Sequence, residues 1–186
     1  DRLMSRGLGD VYKRQLSTVK VTGTTSKNLS IGFLNAITNK LDVEIENLSS
    51  NETRKQTIHP LVNYNVFSLT KQLLNDYSSV SVINTNKTGK NGLYGNNIAF
   101  VADMFDSNRD FNFKFKTFGS LTPKINNNNG FRYGISLSEL KRNFRYNISW
   151  WGVDKHYKQN ELGYFNFTDH QSYSARISYQ ILNEYG

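Results

Sequence analysis

The side chains able to do chemistry are few, and most gather late in the chain. Cysteine is absent and there are 3 histidines, which excludes a disulfide framework and thiolate metal sites. His59, His156 and His170 do not stand at the spacing by which a helix presents paired metal ligands. The segment from Asp154 to His170 holds Asp154, His156, Glu161, Asp169 and His170, oxygen and imidazole donors able to gather around a metal. Nothing local fixes their geometry, and a polar outer loop is the favoured reading. The same segment carries Tyr157, Tyr164, Phe165 and Phe167, rings that either stack on a sugar or fold inward as a brace, the brace being favoured. No serine and histidine share a nucleophile motif, and Gly89-Lys90-Asn91-Gly92 lacks the strand and helix of a phosphate loop. No catalytic residue, metal ligand or cofactor is therefore assigned, the ligand-binding residues stay open, and the chain is expected not to be an enzyme.

The remaining candidates are cations. Lys114, Lys116, Arg132, Arg145 and Arg176 each sit in a run where every second residue is apolar. Phe111, Phe113 and Phe115 alternate with Asn112, Lys114 and Lys116. Phe131, Tyr133, Ile135 and Leu137 alternate with Arg132, Gly134, Ser136 and Ser138. Phe144, Tyr146, Ile148 and Trp150 do so with Arg145, Asn147 and Ser149, and Tyr173, Ala175, Ile177 and Tyr179 with Ser174, Arg176 and Ser178. Strict period two means strands with one apolar and one polar face. In a soluble sheet the apolar face would enter a core, but no helical pattern is offered to cover it. Hydrocarbon can cover it instead, with the polar face turned to a watery lumen. The five cations then favour anions in a channel or pair with acids on further strands, and both uses fit equally.

These runs must be positioned by the rest of the chain, which reads as nine strands joined as a meander. They span Thr18 to Thr24, Leu29 to Thr38, Leu61 to Leu73, Ser78 to Asn86, Asn97 to Phe105, Phe111 to Phe118, Phe131 to Ser138, Phe144 to Val153 and Ser172 to Leu182. Asn39 to His59 reads as a long polar loop, in which Leu41, Val43 and Ile45 offer at most a short strand extension. Asp106-Ser107-Asn108-Arg109 is a turn on its side-chain chemistry. Turns of about four residues alternate with loops of roughly nine to twenty, which sorts short and long connections to opposite ends, as in outer-membrane barrels. Trp150, Trp151, Tyr146 and Tyr133 are candidates for interfacial aromatic girdles.

Composition agrees with an envelope protein. The formal net charge is +8, but Lys and Arg are scattered without a cluster or binding motif, so nucleic acid is not expected as a partner. Residues 1–15 resemble translated sequencing adaptor. They carry Arg2, Arg6, Lys13 and Arg14 against Asp1 and Asp10, so +2 of that +8 belongs to them, and the native chain is expected to begin near Leu16. No run of eighteen apolar residues exists from which to draw a transmembrane helix, a test that a barrel escapes.

Thr22-Gly23-Thr24, the run Leu29-Ser30-Ile31-Gly32-Phe33-Leu34-Asn35-Ala36-Ile37-Thr38, Pro60-Leu61-Val62-Asn63-Tyr64 and Asn160-Glu161-Leu162-Gly163-Tyr164 resemble the domain of unknown function 5916 family. That resemblance covers Leu16 to Gly186. It implies the barrel-like C-terminal part of envelope proteins in Gram-negative bacteria, often preceded by a domain resembling carbohydrate-binding module family 9, and it brings no catalytic residues.

The expectation is an all-β chain: an antiparallel up-and-down meander of about nine strands, with 16–186 a partial transmembrane β-barrel domain. Its partners would be the lipid bilayer of the bacterial outer membrane and glycans or small solutes, and its role that of pore, transporter or envelope anchor. The alternative is a soluble β-sheet glycan-binding module. Nine is an odd number, whereas bacterial single-chain barrels are even, so the chain is expected to be an open part of a larger barrel.

Overall fold

The computed structural model describes residues 15–47, 52–89, 94–121, 129–158 and 167–181. It contains eleven strands: β1 Gln15–Thr24, β2 Leu29–Thr38, β3 Leu41–Asn47, β4 Glu52–His59, β5 Val62–Gln72, β6 Ser79–Gly89, β7 Tyr94–Phe105, β8 Phe111–Leu121, β9 Gly130–Glu139, β10 Phe144–Val153 and β11 His170–Tyr179. Nine of them form one antiparallel sheet in the order β1-β2-β5-β6-β7-β8-β9-β10-β11. The meander expected from period-two alternation is therefore present, with β1 and β11 as its two edges.

The segment read as a loop between Asn39 and His59 contains a hairpin of its own. β3 and β4 pair only with each other, as a two-stranded sheet. Leu41, Val43 and Ile45 share one face of β3 but meet His59, Gln56 and Arg54 on β4. The other face is held by Lys40 to Asp42 at 2.7 Å, Thr57 Oγ1 donating to Asp42 at 2.7 Å, and Lys55 to Glu44 at 3.5 Å. Alternation is present in β3, where the sequence offered a short strand extension, but Glu52 to Thr57 are all polar, so β4 leaves no period for a sequence reading to find.

Strand ends also run further than alternation indicated. β6 reaches Gly89 and β7 starts at Tyr94, so the connection expected to be a long Gly and Asn loop shrinks to residues 90–93. Asn84, Asn86, Asn96 and Asn97 sit inside the ladder, and Asn84 Nδ2 donates to Asn96 Oδ1 at 3.1 Å. Cross-strand amide bonds compensate here for low strand propensity. At this end of the sheet the other connections are 39–61, 122–129 and 154–169, and at the opposite end they are 25–28, 73–78, 106–110 and 140–143. Length sorting thus holds at three of four long connections.

The turn at 106–110 shows why side-chain chemistry sufficed to read it. Asp106 Oδ1 accepts the Phe111 N–H at 2.7 Å, its Oδ2 accepts that of Asn108 at 3.3 Å, and Arg109 takes φ of 60°. The Phe111 N–H bond is the chief cause that holds the Asp106 carboxyl below its ordinary 3.8. A depressed folded pKa stabilises the turn above the ordinary carboxylate range, and that contribution disappears as pH falls through the depressed value. The protection of the Phe111 amide against hydrogen exchange, relative to its unfolded rate at the same pH, should therefore be high at neutral pH and fall only in acid, and Asp106→Asn should flatten that dependence. An unchanged profile in the variant would show that the carboxylate does not hold the turn.

Candidate functional site

The candidate surface is the sheet itself, because its two faces differ in character. Cross-strand register places Val21, Phe33 and Phe67 in one row, and Ile31, Leu69, Val82 and Phe100 in the next. Phe113 stands opposite Met104 and Leu137, Phe115 opposite Ala102 and Ile135, and Ile148 opposite Leu137 and Ala175. All these side chains share one face. It is uncovered: Phe33, Phe67, Phe113, Ile148 and Tyr173 are 40, 40, 44, 55 and 74 % exposed. A largely apolar sheet face left open across nine strands far exceeds what a soluble monomer shows to water.

The opposite face carries the cations. Register and alternation put Lys20, Lys87, Lys114, Lys116, Arg132, Arg145 and Arg176 there, with Asp103 of β7 on the same face. All five cations singled out by alternation thus share one face. Asp103, not foreseen as a partner, forms an ion pair with Lys114 at 2.9 Å and accepts from Asn112 Nδ2 at 2.6 Å. Two hydroxyl pairs also lie there, Thr70 with Ser81 at 2.9 Å and Ser149 with Ser174 at 2.7 Å, beside apolar Leu34, Val66, Ile83 and Val101.

Strands in this sheet are staggered. The row Leu29, Lys71, Val80, Ala102, Phe115, Ile135, Trp150, Tyr173 crosses eight strands at right angles. It leaves β2 at its turn-side end, Leu29, yet meets β11 at Tyr173, six residues from that strand's turn-side end at Tyr179. With about 3.4 Å per residue and about 4.8 Å per strand, this drift over seven steps is a slant of roughly 30°. Allowing for it, Asn35, Asn65, Asn84 and Asn86 on the early strands and Tyr133, Trp150 and Tyr173 on the late ones border the apolar area on its loop side. Asn35 Nδ2 donates to Asn63 Oδ1 at 2.6 Å and Asn65 Oδ1 at 2.7 Å, and Trp150 stands 5.0 Å from Tyr133 and 6.4 Å from Tyr173. Of the four girdle candidates, Tyr133 and Trp150 lie on this border and Tyr146 near the turn end. Trp151 faces the other way, since neighbours in a strand point to opposite faces.

At the loop end a cleft of about 580 Å³ is lined by Tyr133, Val153, Asp154, Lys155, His156, Asp169, His170 and Gln171. Four of the five donors singled out in this segment therefore line one cleft, while Glu161 lies outside the described residues. Among the described residues no three such donors come within reach of one ion. Asp154 is occupied as a turn former, its Oδ2 accepting the Phe131 N–H at 2.7 Å and its Oδ1 that of His156 at 2.6 Å. His59 lies at the end of β4, its ring Nδ1 2.7 Å from the Pro60 carbonyl.

The brace is visible at Tyr157, 2 % exposed. Its segment lies over the polar face, where the Lys158 N–H donates to Ser120 Oγ at 2.9 Å. A Cβ added at Gly130 would fall inside the backbone of His156 and Tyr157. Burial pushes the Tyr157 phenol up against the downward pull of Arg132. Phe167 is 64 % exposed, and Tyr164 and Phe165 lie outside the described residues.

The fold and these faces define an all-β protein built on one amphipathic antiparallel sheet. The domain of unknown function 5916 matches residues 12–186, so the chain belongs to that family. The match takes in Tyr12 to Gln15, four residues of the stretch that resembles adaptor, and β1 begins at the last of them. No curated protein and no solved structure matches the chain.

Proposed function

We propose that this sheet is part of the wall of a bacterial outer-membrane β-barrel that serves as a pore, transporter or envelope anchor. It has no catalytic role and works with a carbohydrate-binding region of the full-length protein. The observation that carries the proposal is the uncovered, largely apolar face from Val21 to Tyr173, opposite the face that carries the cations and the hydroxyl pairs. Water on both sides leaves that arrangement unexplained, whereas hydrocarbon outside and water within account for each face. The slant of roughly 30° lies near the 35–45° tilt of barrel strands, and the amide and aromatic border stands where a bilayer interface would. Burial of Tyr157 counts against the alternative, a soluble module stacking glycans on this loop.

β1 and β11 have no further partner among the described residues. Eight antiparallel steps separate them, so they run in the same direction. Closure with antiparallel pairs throughout then takes an odd number of further strands, which restores the even total of bacterial barrels. Lipid does not tolerate open edges, because free N–H and C=O groups find no water there.

Epitope tags inserted in the full-length protein at Asn108 and at position 127 test orientation and membrane insertion together. In intact cells antibody should reach the tag at 127, on the long-loop side, and miss the one at Asn108. Recovery of both tagged proteins in the soluble fraction would sink the proposal, and access to Asn108 alone would invert the topology.

A further inference from the structure

On the polar face, three neighbouring strands build a trough. Lys116, Gly134 and Trp151 lie in one register row, and Lys114, Ser136 and Ser149 in the next. Gly134 and Ser136, the smallest side chains, form the floor on β9. The two lysines rise on one side and Trp151 with Ser149 on the other, across two strand spacings of about 4.8 Å each. The space between is about 160 Å³. Arg132 closes the loop-side end, its guanidinium 5.5 Å from the Phe118 ring and 5.7 Å from Trp151.

We infer that this trough binds a small oxyanion group (phosphate, sulfate or carboxylate), held by Lys114, Lys116 and the Ser136 and Ser149 hydroxyls. Charge balance points that way. Asp103 offsets Lys114 at 2.9 Å from the β7 side, but the row of Lys116 holds Val101, Gly134 and Trp151 and offers it no acid. Two ammonium groups on alternate residues repel one another, and an anion between them removes that repulsion while accepting charge-assisted hydrogen bonds. The flat wall of Trp151 adds a surface for a sugar ring carrying the anion. The inference rests on the proposed barrel, which turns this face to water and names here the class of solute it takes.

Equilibrium dialysis of the full-length protein in detergent against radiolabelled inorganic phosphate tests it, with glucuronate and glucose as competitors. Saturable one-site binding is expected, displaced by glucuronate and not by glucose. Stronger competition by glucuronate than by unlabelled phosphate would identify a sugar acid as the source of the group, and the reverse order the free ion. Lys116→Gln should weaken binding roughly tenfold or more, as loss of a charged hydrogen-bond donor does, while Lys20→Gln, on the distant β1, should leave it unchanged. Gly134→Val should abolish binding without altering charge. An added Cβ there meets nothing nearer than 3.4 Å, and Lys116→Gln decides the matter should the valine variant not fold. Unsaturable uptake, or equal effects of Lys116→Gln and Lys20→Gln, would overturn the inference. Vesicle flotation of the same protein separates the two readings: floating protein without phosphate binding refutes the trough alone. Phosphate-binding protein that stays unbound to vesicles refutes the membrane assignment.

Discussion

Replacing Phe113 with Arg should destabilise the protein by about 2–4 kcal/mol when it folds from urea into lipid vesicles, whereas Lys116→Ser should change stability by about 0.5 kcal/mol or less. Phe113 is the middle one of the three phenylalanines on the apolar face of β8, with Met104 and Leu137 opposite, and among the described residues its ring is left partly exposed. A guanidinium there enters hydrocarbon and loses its water. The contrast is sharp because Phe113 is 44 % exposed. Were that face in water, an arginine on an open surface would be close to neutral. Equal tolerance of the two substitutions would therefore remove the lipid-facing assignment, whatever the secondary structure of the product.

The second large effect is expected at the brace. Gly130→Ala should drive the segment 154–158 off the polar face, because the new methyl group competes for space with the backbone of His156 and Tyr157. Losing the buried Tyr157 side chain costs about 2 kcal/mol by the ordinary scale of aromatic burial. Tyr157→Ala should cost a similar amount. The double variant should cost little more than the larger single, since both changes abolish one contact. Full additivity in the urea titration would show that Gly130 and Tyr157 act separately. In a conducting barrel, either single variant should also raise conductance, as the segment no longer covers the mouth beside Arg132.

What the residues settle alone is what depends on near neighbours in the chain. Successive side chains of a strand point to opposite faces, so Phe113 and Lys114, or Trp150 and Trp151, are assigned to faces by position parity. The family resemblance reached the same β architecture by order and spacing along the chain. The Asp106 turn is likewise local, its carboxylate binding amides within five residues. Parity even gathers Lys114, Lys116, Arg132, Arg145 and Arg176 on one face once the strands are adjacent.

Tertiary structure decided everything that depends on which residue of one strand meets which residue of the next. Alternation is unchanged when a strand slides by two residues, so it cannot set register. The slant from Leu29 to Tyr173, the Asp103 partner of Lys114 and the placing of Gly134 between Lys116 and Trp151 all follow from register alone. The β3 and β4 hairpin escaped for another reason, since Leu41, Val43 and Ile45 on β3 meet only polar residues on β4, which carries no apolar period of its own. Tyr157 needed the fold as well. Its burial depends on Gly130, 27 positions earlier in the chain, leaving room on a strand that reaches it only across the sheet.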